Sequence, residues 1–573
     1  MEKKEPKKLE PIEYSVKERL LMAVLTSLAV TFTYFFYGPI DIYSNNMAEL
    51  AVTFKDVFPL ITVVFLLSFV LMALLLFLFK SHLLNVITGM VISLFISGLI
   101  DNNITNKVVY TSGDAPPVSK KNTIIFFATY IIVMYVVSFA ALMLKNRWKN
   151  VLIFLSVLLF GTNAAALAGD FITKDLIHDN DIHCNYVISN DGLFEASEKE
   201  NIIIILFDRM DTKYYDEVVK QHPGFFSDMQ GFTYYDSATT SYSRTFPAVS
   251  ALISDNLYLN DIPPEEYFAT TYKNSHFLKD LRNNGYNIRT YIDRYYEYTD
   301  AESMKGIVDN VEPVTDYSVN KTNALFYLDK LSVDRNFSYI LTNSNHDNAT
   351  SGITARLSEL KCESGMYQDN DAKFYKELTQ NGLSPSGNNK DFIFLYLHGS
   401  HTPIILNEDC EESENATIES QTVGSFKIVF EYLEQLKKLG VYDNSTIIIT
   451  ADHGYAISDA DNYFKVADSG ITACMFVKPR GAKNEKLITS SKEISITNLV
   501  PTVVQDAKLK TDYKYNKSVF DIKEREHVRR TLYQSVFSNK HKLVLNEYEI
   551  YGDAKDLKNW KLKQVIKSDF AWY

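Results

Sequence analysis

The stretch Ser445-Thr-Ile-Ile-Ile-Thr-Ala-Asp452-His453-Gly454 decides how this chain reads. A short, continuous apolar run rich in β-branched residues predicts a parallel strand buried on both faces. It stops at an acid and an imidazole. The same plan occurs twice more: Asn201-Ile-Ile-Ile-Ile-Leu-Phe ends at Asp208, and Phe392-Ile-Phe-Leu-Tyr-Leu ends at His398, with His401 just beyond. In open α/β sheets, ligands sit at the carboxyl ends of the strands. Carboxylates and imidazoles gathered there suit a divalent cation such as zinc or manganese. One such strand end would read as the start of a surface turn. Three together point to a metal site formed by Asp208, Asp452 and His453.

Outward from these runs, strand-like segments alternate with helical ones from Asn201 onward. The amphipathic pattern of Phe426–Lys438, just before the Ser445 run, predicts one of the helices. Such alternation implies a mostly parallel sheet with helices on both faces. Beyond Leu532, short strand-like runs suggest an appended antiparallel layer. The segments Asn320–Gly382 and Asn407–Gln421 are weakly patterned or acidic and are expected to flank the site. The net charge of −12 and the absence of a basic stripe exclude a nucleic-acid surface.

The first third of the 573 residues is of a different kind. Five apolar stretches, Leu20–Tyr37, Val57–Phe79, His82–Ile100, Thr123–Leu144 and Asn150–Leu167, approach or exceed the roughly 17–25 residues that cross a bilayer. The first is read as a span and not as a cleaved signal peptide, because four more follow. Lys3, Lys4, Lys7, Lys8, Lys17 and Arg19 precede the first span, Lys80 lies between the second and third, and Lys145, Arg147 and Lys149 separate the last two. The positive-inside rule places these in the cytoplasm, so an odd number of spans puts everything after about Gly169 outside it. The expected layout is a five-helix transmembrane domain at 1–168, a juxtamembrane linker at 169–200 and an extracytoplasmic α/β domain at 201–573. Of the four cysteines, Cys362 and Cys410 lie in loop-like sequence and form a possible pair outside the cytoplasm. Cys474, in an apolar run, reads as a buried free thiol.

A metal cradle needs a group to act with it. In Ser243-Arg244-Thr245-Phe246-Pro247-Ala248-Val249-Ser250, a helix is predicted to start near Ala248, with Thr245 at or just before its N-cap. Threonine is a common cap that only closes a helix. A helix N-terminus also attracts phosphate or sulfate, and a hydroxyl held there beside a dication is a candidate nucleophile.

These motifs resemble the alkaline phosphatase/sulfatase superfamily and, within it, the membrane-bound phosphoethanolamine transferases and lipoteichoic-acid synthases. Thr245-Phe-Pro-Ala-Val-Ser-Ala-Leu-Ile-Ser is similar to the sulfatase signature C/S-x-P-S-R-x-x-L-L-T, with Thr in the nucleophile's place. Asp208 matches the first acidic ligand, and Asp452-His453-Gly454 matches the paired ligand motif. Gly399-Ser400-His401-Thr402-Pro403 resembles the transferases' G-S-H-x-P segment, and Ile496-Thr-Asn-Leu-Val-Pro501-Thr502 their I-x-D-L-x-P-T segment. The resemblance runs from Asn201 to Thr502. It implies a sulfatase-like domain whose dication, zinc or else manganese, is held by Asp208, Thr245, Asp452 and His453, with His401 moving protons. Sulfatases need a Cys or Ser that becomes formylglycine, which Thr cannot form, so Thr245 implies a phosphorylated enzyme intermediate. The implied activity is transfer of phosphoethanolamine or glycerol phosphate from a membrane phospholipid donor to a cell-envelope glycan or lipid acceptor. A phosphodiester hydrolase using water, and a non-catalytic membrane scaffold, are the alternatives.

Two departures bear on the substrate. The transferases commonly carry a further histidine after the D-H-G motif. Here Tyr455–Gly470 has none, and Lys465 is the nearest cation. Asp208 also stands where several relatives use Glu. Asp293, after the strand-like Asn287-Ile-Arg-Thr-Tyr-Ile, reads equally as pocket lining or as a strand-end ion pair. His398 reads as structural first and substrate-binding second.

Overall fold

The structure is a computed structural model. It describes residues 12–45, 52–105, 120–174, 176, 186–292, 301–313, 321–341, 370–387, 389–454, 472–537 and 542–570. The chain forms two compact units, Met1–Ile182 with Ser318–Leu360, and His183–Tyr317 with Lys361–Tyr573. This differs from the expected layout at two places. Much of the expected linker belongs to the second unit, because Tyr186–Ile188 pairs antiparallel with Val311–Pro313 and Glu195–Ala196 pairs parallel with Ser384–Pro385. The stretch around 318–360, expected to flank the site, belongs instead with the N-terminal helices.

In the first unit, four helices among the described residues are long and apolar enough to cross a membrane, by length and composition: Val16–Asn45, Phe54–Leu78, Ser81–Gly98 and Lys145–Thr173. Five were expected. The missing one, Thr123–Leu144, falls in the helix Lys120–Met143, whose described apolar part, Phe127–Met143, is too short to count by itself. Leu67, Leu71, Leu74 and Leu78 turn outward from the second of these helices. A surface of that kind is costly in water and suits lipid. Inside, polar side chains tie the helices together. Asn85 Nδ2 donates to the carbonyls of Ala141 and Lys145, and Trp148 Nε1 donates to Thr88 Oγ1 at 2.9 Å.

The helix Lys321–Leu341 completes this unit. Ala324, Leu325, Leu328 and Leu331 recur at helical spacing and pack into one core with Phe32, Ile40, Val57 and Ile61. Ser332 Oγ donates to the Tyr34 carbonyl at 2.7 Å, inside the π-helical turn Thr33–Tyr37. Gly38 allows that approach, since a Cβ there would lie 1.9 Å from Ser332 Oγ. Lys321 pairs with Asp56 at 2.6 Å.

The second unit is built on a seven-stranded sheet: β1 (Asn201–Phe207), β2 (Thr233–Tyr235), β3 (Tyr286–Tyr291), β4 (Lys390–Leu397), β5 (Ser445–Ala451), β6 (Met475–Lys478) and β7 (Ile488–Ser490). Their order is β7-β2-β6-β5-β1-β4-β3. β1 is central, parallel to β4 and β5, and every residue in it is buried. Side-chain alternation divides it between two cores. Ile203, Ile205 and Phe207 meet Phe426 and Leu436, while Ile202, Ile204 and Leu206 meet Val249, Leu252 and Phe277. The predicted helix before β5 runs Ile418–Lys438. The expected antiparallel layer is the three-stranded sheet of Arg530–Phe537, Leu543–Ile550 and Trp560–Lys567. Among the described residues Cys410 and Cys474 are buried and unbridged, and burial pushes the Cys410 thiol up to about 12. Cys362, the partner expected for Cys410, lies outside the described residues.

Candidate active site

Strand register assembles the site. Phe207 is aligned with Leu397 on one side and with Ala451 on the other. The next residue of each strand is therefore Asp208, His398 or Asp452, and the three emerge side by side at the carboxyl edge of the sheet. Gly399 adopts φ +61°, and a Cβ there would lie 2.6 Å from the Asp208 carbonyl, so only glycine lets this turn pass so close.

The carboxylates and one imidazole converge. His453 Nε2 lies 3.6 Å from Asp208 Oδ1 and 3.7 Å from Asp452 Oδ2. Each carboxylate is held by its other oxygen. Asp452 Oδ1 accepts from the backbone N–H of Arg209 at 3.0 Å and of His453 at 2.7 Å. Asp208 Oδ2 accepts from the Tyr396 hydroxyl. The two inward oxygens, Asp208 Oδ1 and Asp452 Oδ2, are buried with no hydrogen-bond partner among the described residues.

Burial sets the electrostatics. It pushes the Asp452 carboxyl well above the usual range, helped by the charge of Asp208. The Asp208 carboxyl is held low, because its burial is outweighed by His401, His453 and the Tyr396 hydrogen bond. Burial also draws the His453 imidazole down to about 4, so the ring is neutral and able to ligate. Two buried carboxylates facing each other with orphaned oxygens are unfavourable unless a cation sits between them. Asp208, Asp452 and His453 form the only cluster of at least three such ligand groups among the described residues, and this oxygen and nitrogen set fits a divalent cation.

Thr245 meets the same point from a helix. Its Oγ1 is 3.1 Å from His453 Nε2. The helix spans Thr245–Ser254, but Phe246 and Pro247 depart from helical geometry, and the cap position is Arg244, with no side-chain cap bond. Thr245 therefore stands just ahead of the regular turns, which begin at Ala248 as the sequence suggested, and makes no cap bond. Its hydroxyl is turned into the cradle instead.

The remaining expected residues divide. The rings of His401 and His398 lie 5.6 Å apart. His401 Nδ1 is 2.5 Å from the Thr402 carbonyl, which makes Nδ1 the donor of that bond. His398 is buried, with Nε2 3.2 Å from the Pro403 carbonyl, and Asp371 holds the backbone N–H groups of His398 and Gly399. That is a structural role. Asp293 and Lys465 lie outside the described residues. Tyr396 and Asp371 were not anticipated. Tyr396 stands in an otherwise apolar strand, and its one signal was a polar tip two residues before His398.

The sulfatase family model matches residues 200–508, more than half of the chain and all of the residues just described. The chain belongs to the sulfatase family. Members of this superfamily use divalent metals. Solved structures similar to this sulfatase-family chain include the lipoteichoic acid synthase LtaP from Listeria monocytogenes, at 14% identity over 67% of this chain and 91% of that one, TM-score 0.33. A protein of the alkaline phosphatase superfamily from Vibrio parahaemolyticus matches at 12% identity over 66% and 85%, TM-score 0.34. A 2-O GAG sulfatase matches at 14% identity over 63% and 86%, TM-score 0.34. No curated protein matches the chain.

Proposed function

We propose that this protein is a membrane-anchored phosphotransferase that moves a phospho-headgroup from a phospholipid to an extracytoplasmic hydroxyl through a phosphothreonine at Thr245. The observation that carries the reading is the Thr245 hydroxyl on His453 Nε2, at the mouth of a cradle with two orphaned carboxylate oxygens. A zinc or manganese ion held by Asp208, Asp452, His453 and Thr245 would favour the alkoxide form of the hydroxyl and offset charge developing on phosphorus.

In the first half-reaction, Thr245 Oγ1 forms a bond to phosphorus as the bond from phosphorus to the diacylglycerol oxygen breaks. His401 Nε2 takes the hydroxyl proton of the threonine and hands it to the departing oxygen. In the second, His401 Nε2 takes a proton from the acceptor hydroxyl, whose oxygen bonds to phosphorus as the bond to Thr245 Oγ1 breaks, and returns that proton to Thr245 Oγ1. The Nδ1 bond to Thr402 keeps His401 in the tautomer that both steps need. The G-S-H-x-P resemblance supports phosphoethanolamine as the headgroup, and the resemblance to lipoteichoic-acid synthases supports glycerol phosphate. The apolar helices support a lipid donor, and the basic residues around them support an extracytoplasmic second unit.

Incubation with a labelled phospholipid, followed by peptide mass spectrometry, tests the reading. A phospho-headgroup on Thr245 is the expected result, and its mass names the donor. Release of the headgroup to water with no acceptor would favour the hydrolase. A threonine that stays unlabelled while the lipid is turned over would overturn the mechanism.

A further inference from the structure

The loop His398–Leu406, which leaves β4, is irregular, so side chains must meet its backbone groups. Three successive carbonyls are taken in this way. That of His401 accepts from Gln421 Nε2 at 2.8 Å, that of Thr402 from His401 Nδ1, and that of Pro403 from His398 Nε2. The amides of Ile405 and Leu406 both donate to Gln421 Oε1, at 2.8 and 3.1 Å. One side-chain amide therefore grips both ends of the stretch from His401 to Leu406, and it is only 1% exposed. Its orientation is fixed, because two N–H groups face one atom and a carbonyl faces the other.

The helix that carries Gln421 is built for this contact. Gln421 lies in the first turn of Ile418–Lys438, after the Thr417 cap. One turn on, Ser425 Oγ donates to the Gly399 carbonyl at 3.1 Å. Between them on the same face, a Cβ on Gly424 would lie 2.5 Å from the Asn407 carbonyl, so glycine lets the helix press onto the loop.

We infer that Gln421 is the positioning residue for His401 and sets where its Nε2 meets the reacting oxygens. The inference rests on the proton-transfer role given to His401 above. His401 is tied twice, by its ring to the Thr402 carbonyl and by its own carbonyl to Gln421. A peptide that turns at His401 carries the ring with it. The amide stands outside the proton path and acts through this backbone. Misplacing a reacting group by 1 Å costs about a hundredfold in rate.

The test compares two kinds of donor on the full, metal-loaded chain. One is vesicles of phosphatidylethanolamine and phosphatidylglycerol, read by diacylglycerol release in a single turnover. The other is the 4-nitrophenyl esters of phosphoethanolamine and glycerol phosphate. Nitrophenolate leaves without a proton, so its departure makes less use of His401. Gln421→Met should slow diacylglycerol release roughly hundredfold and nitrophenolate release by no more than about tenfold, with metal content unchanged. His401→Ala should show the same split. Because Gln421→Met leaves three backbone groups unpaired, Gln421→Glu is measured beside it. Glutamate keeps the shape and the acceptor for Ile405 and Leu406, removes only the donor to His401, and should split the donors likewise. Equal slowing on both donors would make Gln421 a support of the fold and overturn the inference, as would phospholipid turnover at the wild-type rate. Equal slowing by His401→Ala would overturn the proton-transfer role, and the inference with it. Labelling of Thr245 by phospholipid, measured separately on the wild type, tells whether the transferase reading itself has failed.

Discussion

The Tyr396 hydroxyl donates to Asp208 Oδ2, and this leaves Asp208 Oδ1 facing His453 Nε2 at 3.6 Å. The tyrosine thus decides which oxygen of the carboxylate is offered to a cation. Outer partners of this kind typically affect metal affinity by about 10–100-fold. Tyr396→Phe should weaken zinc or manganese binding by that order, measured by competition with a chelating dye, while the folded signal is retained. Asp452→Ala should lose the metal altogether by elemental analysis. Unchanged affinity in Tyr396→Phe would show that the carboxylate is oriented by the strand alone.

Thr245→Ala should abolish turnover at little cost to the fold. Because the Thr245 side chain makes no cap bond, the change removes only its hydroxyl contacts with His453 and Asp452. Such bonds contribute about 0.5–1.5 kcal/mol. Urea unfolding of the second unit should therefore shift only modestly. A loss of several kcal/mol would mean that the hydroxyl supports structure and not chemistry.

A larger cost is expected far from the site. Arg289 Nη2 meets Asp391 Oδ2 at 2.6 Å with both side chains buried, and Arg289 Nη1 also donates to the Gly192 carbonyl at 2.8 Å. Arg289→Ala leaves the buried Asp391 carboxylate without its cation, with only the hydrogen bonds from Asn287 and Ser386 to hold it. Breaking a buried pair in this way costs roughly 3–5 kcal/mol. Denaturant unfolding of the variant would reveal it, and a cost below that of a surface substitution would contradict the buried geometry.

Asp255 carries a pH signature. Burial raises its carboxyl from 3.8 to about 7 in the folded chain. The folded state therefore binds its proton more tightly than the unfolded one, and stability from this group is complete below about pH 4. It is lost as pH rises toward 7. Asp255→Asn has nothing to titrate there, so the difference in unfolding free energy between variant and wild type should move in the variant's favour from pH 4 to 7. A constant difference across that window would refute the raised value.

The side of the membrane is tested by a reporter inserted after Gly169, which should be active only outside the cytoplasm. The helix Lys120–Met143 decides the parity. Its 24 residues would span about 36 Å at 1.5 Å per residue, enough to cross the roughly 30 Å hydrocarbon layer. Cytoplasmic activity would mean that this helix does not cross.

The site was legible wherever chemistry followed a fully buried strand. Asp208, Asp452 and His453 stand after runs whose apolar composition fixes them as central strands, and strand register then brings them together. Tyr396 was not legible, because a tyrosine in such a run looks like packing, and only the register shows its hydroxyl beside Asp208. The start of the regular turns near Ala248 was legible, but the aim of the Thr245 hydroxyl into the cradle was not, because it follows from the non-helical Phe246 and Pro247. The helix Lys321–Leu341 escaped because its apolar stripe is short, Ala324 to Leu331, with Asp329, Lys330, Asp334 and Arg335 close around it. Its partners lie far earlier in the chain, where no local pattern reaches.

That helix sets an order of events during synthesis. Leu325, Leu328 and Leu331 complete the core around Phe32 and Val57, yet they are made after β1, β2 and β3. A ribosome must finish three of the seven strands of the sulfatase sheet before the N-terminal helices have their last packing partner. A protein cut after Ile182 would keep those helices but leave Phe32, Ile40 and Val57 facing an empty groove. One beginning at His183 would carry three leucines with nothing to cover them, and would be prone to self-association unless residues 318–360 were removed with the anchor.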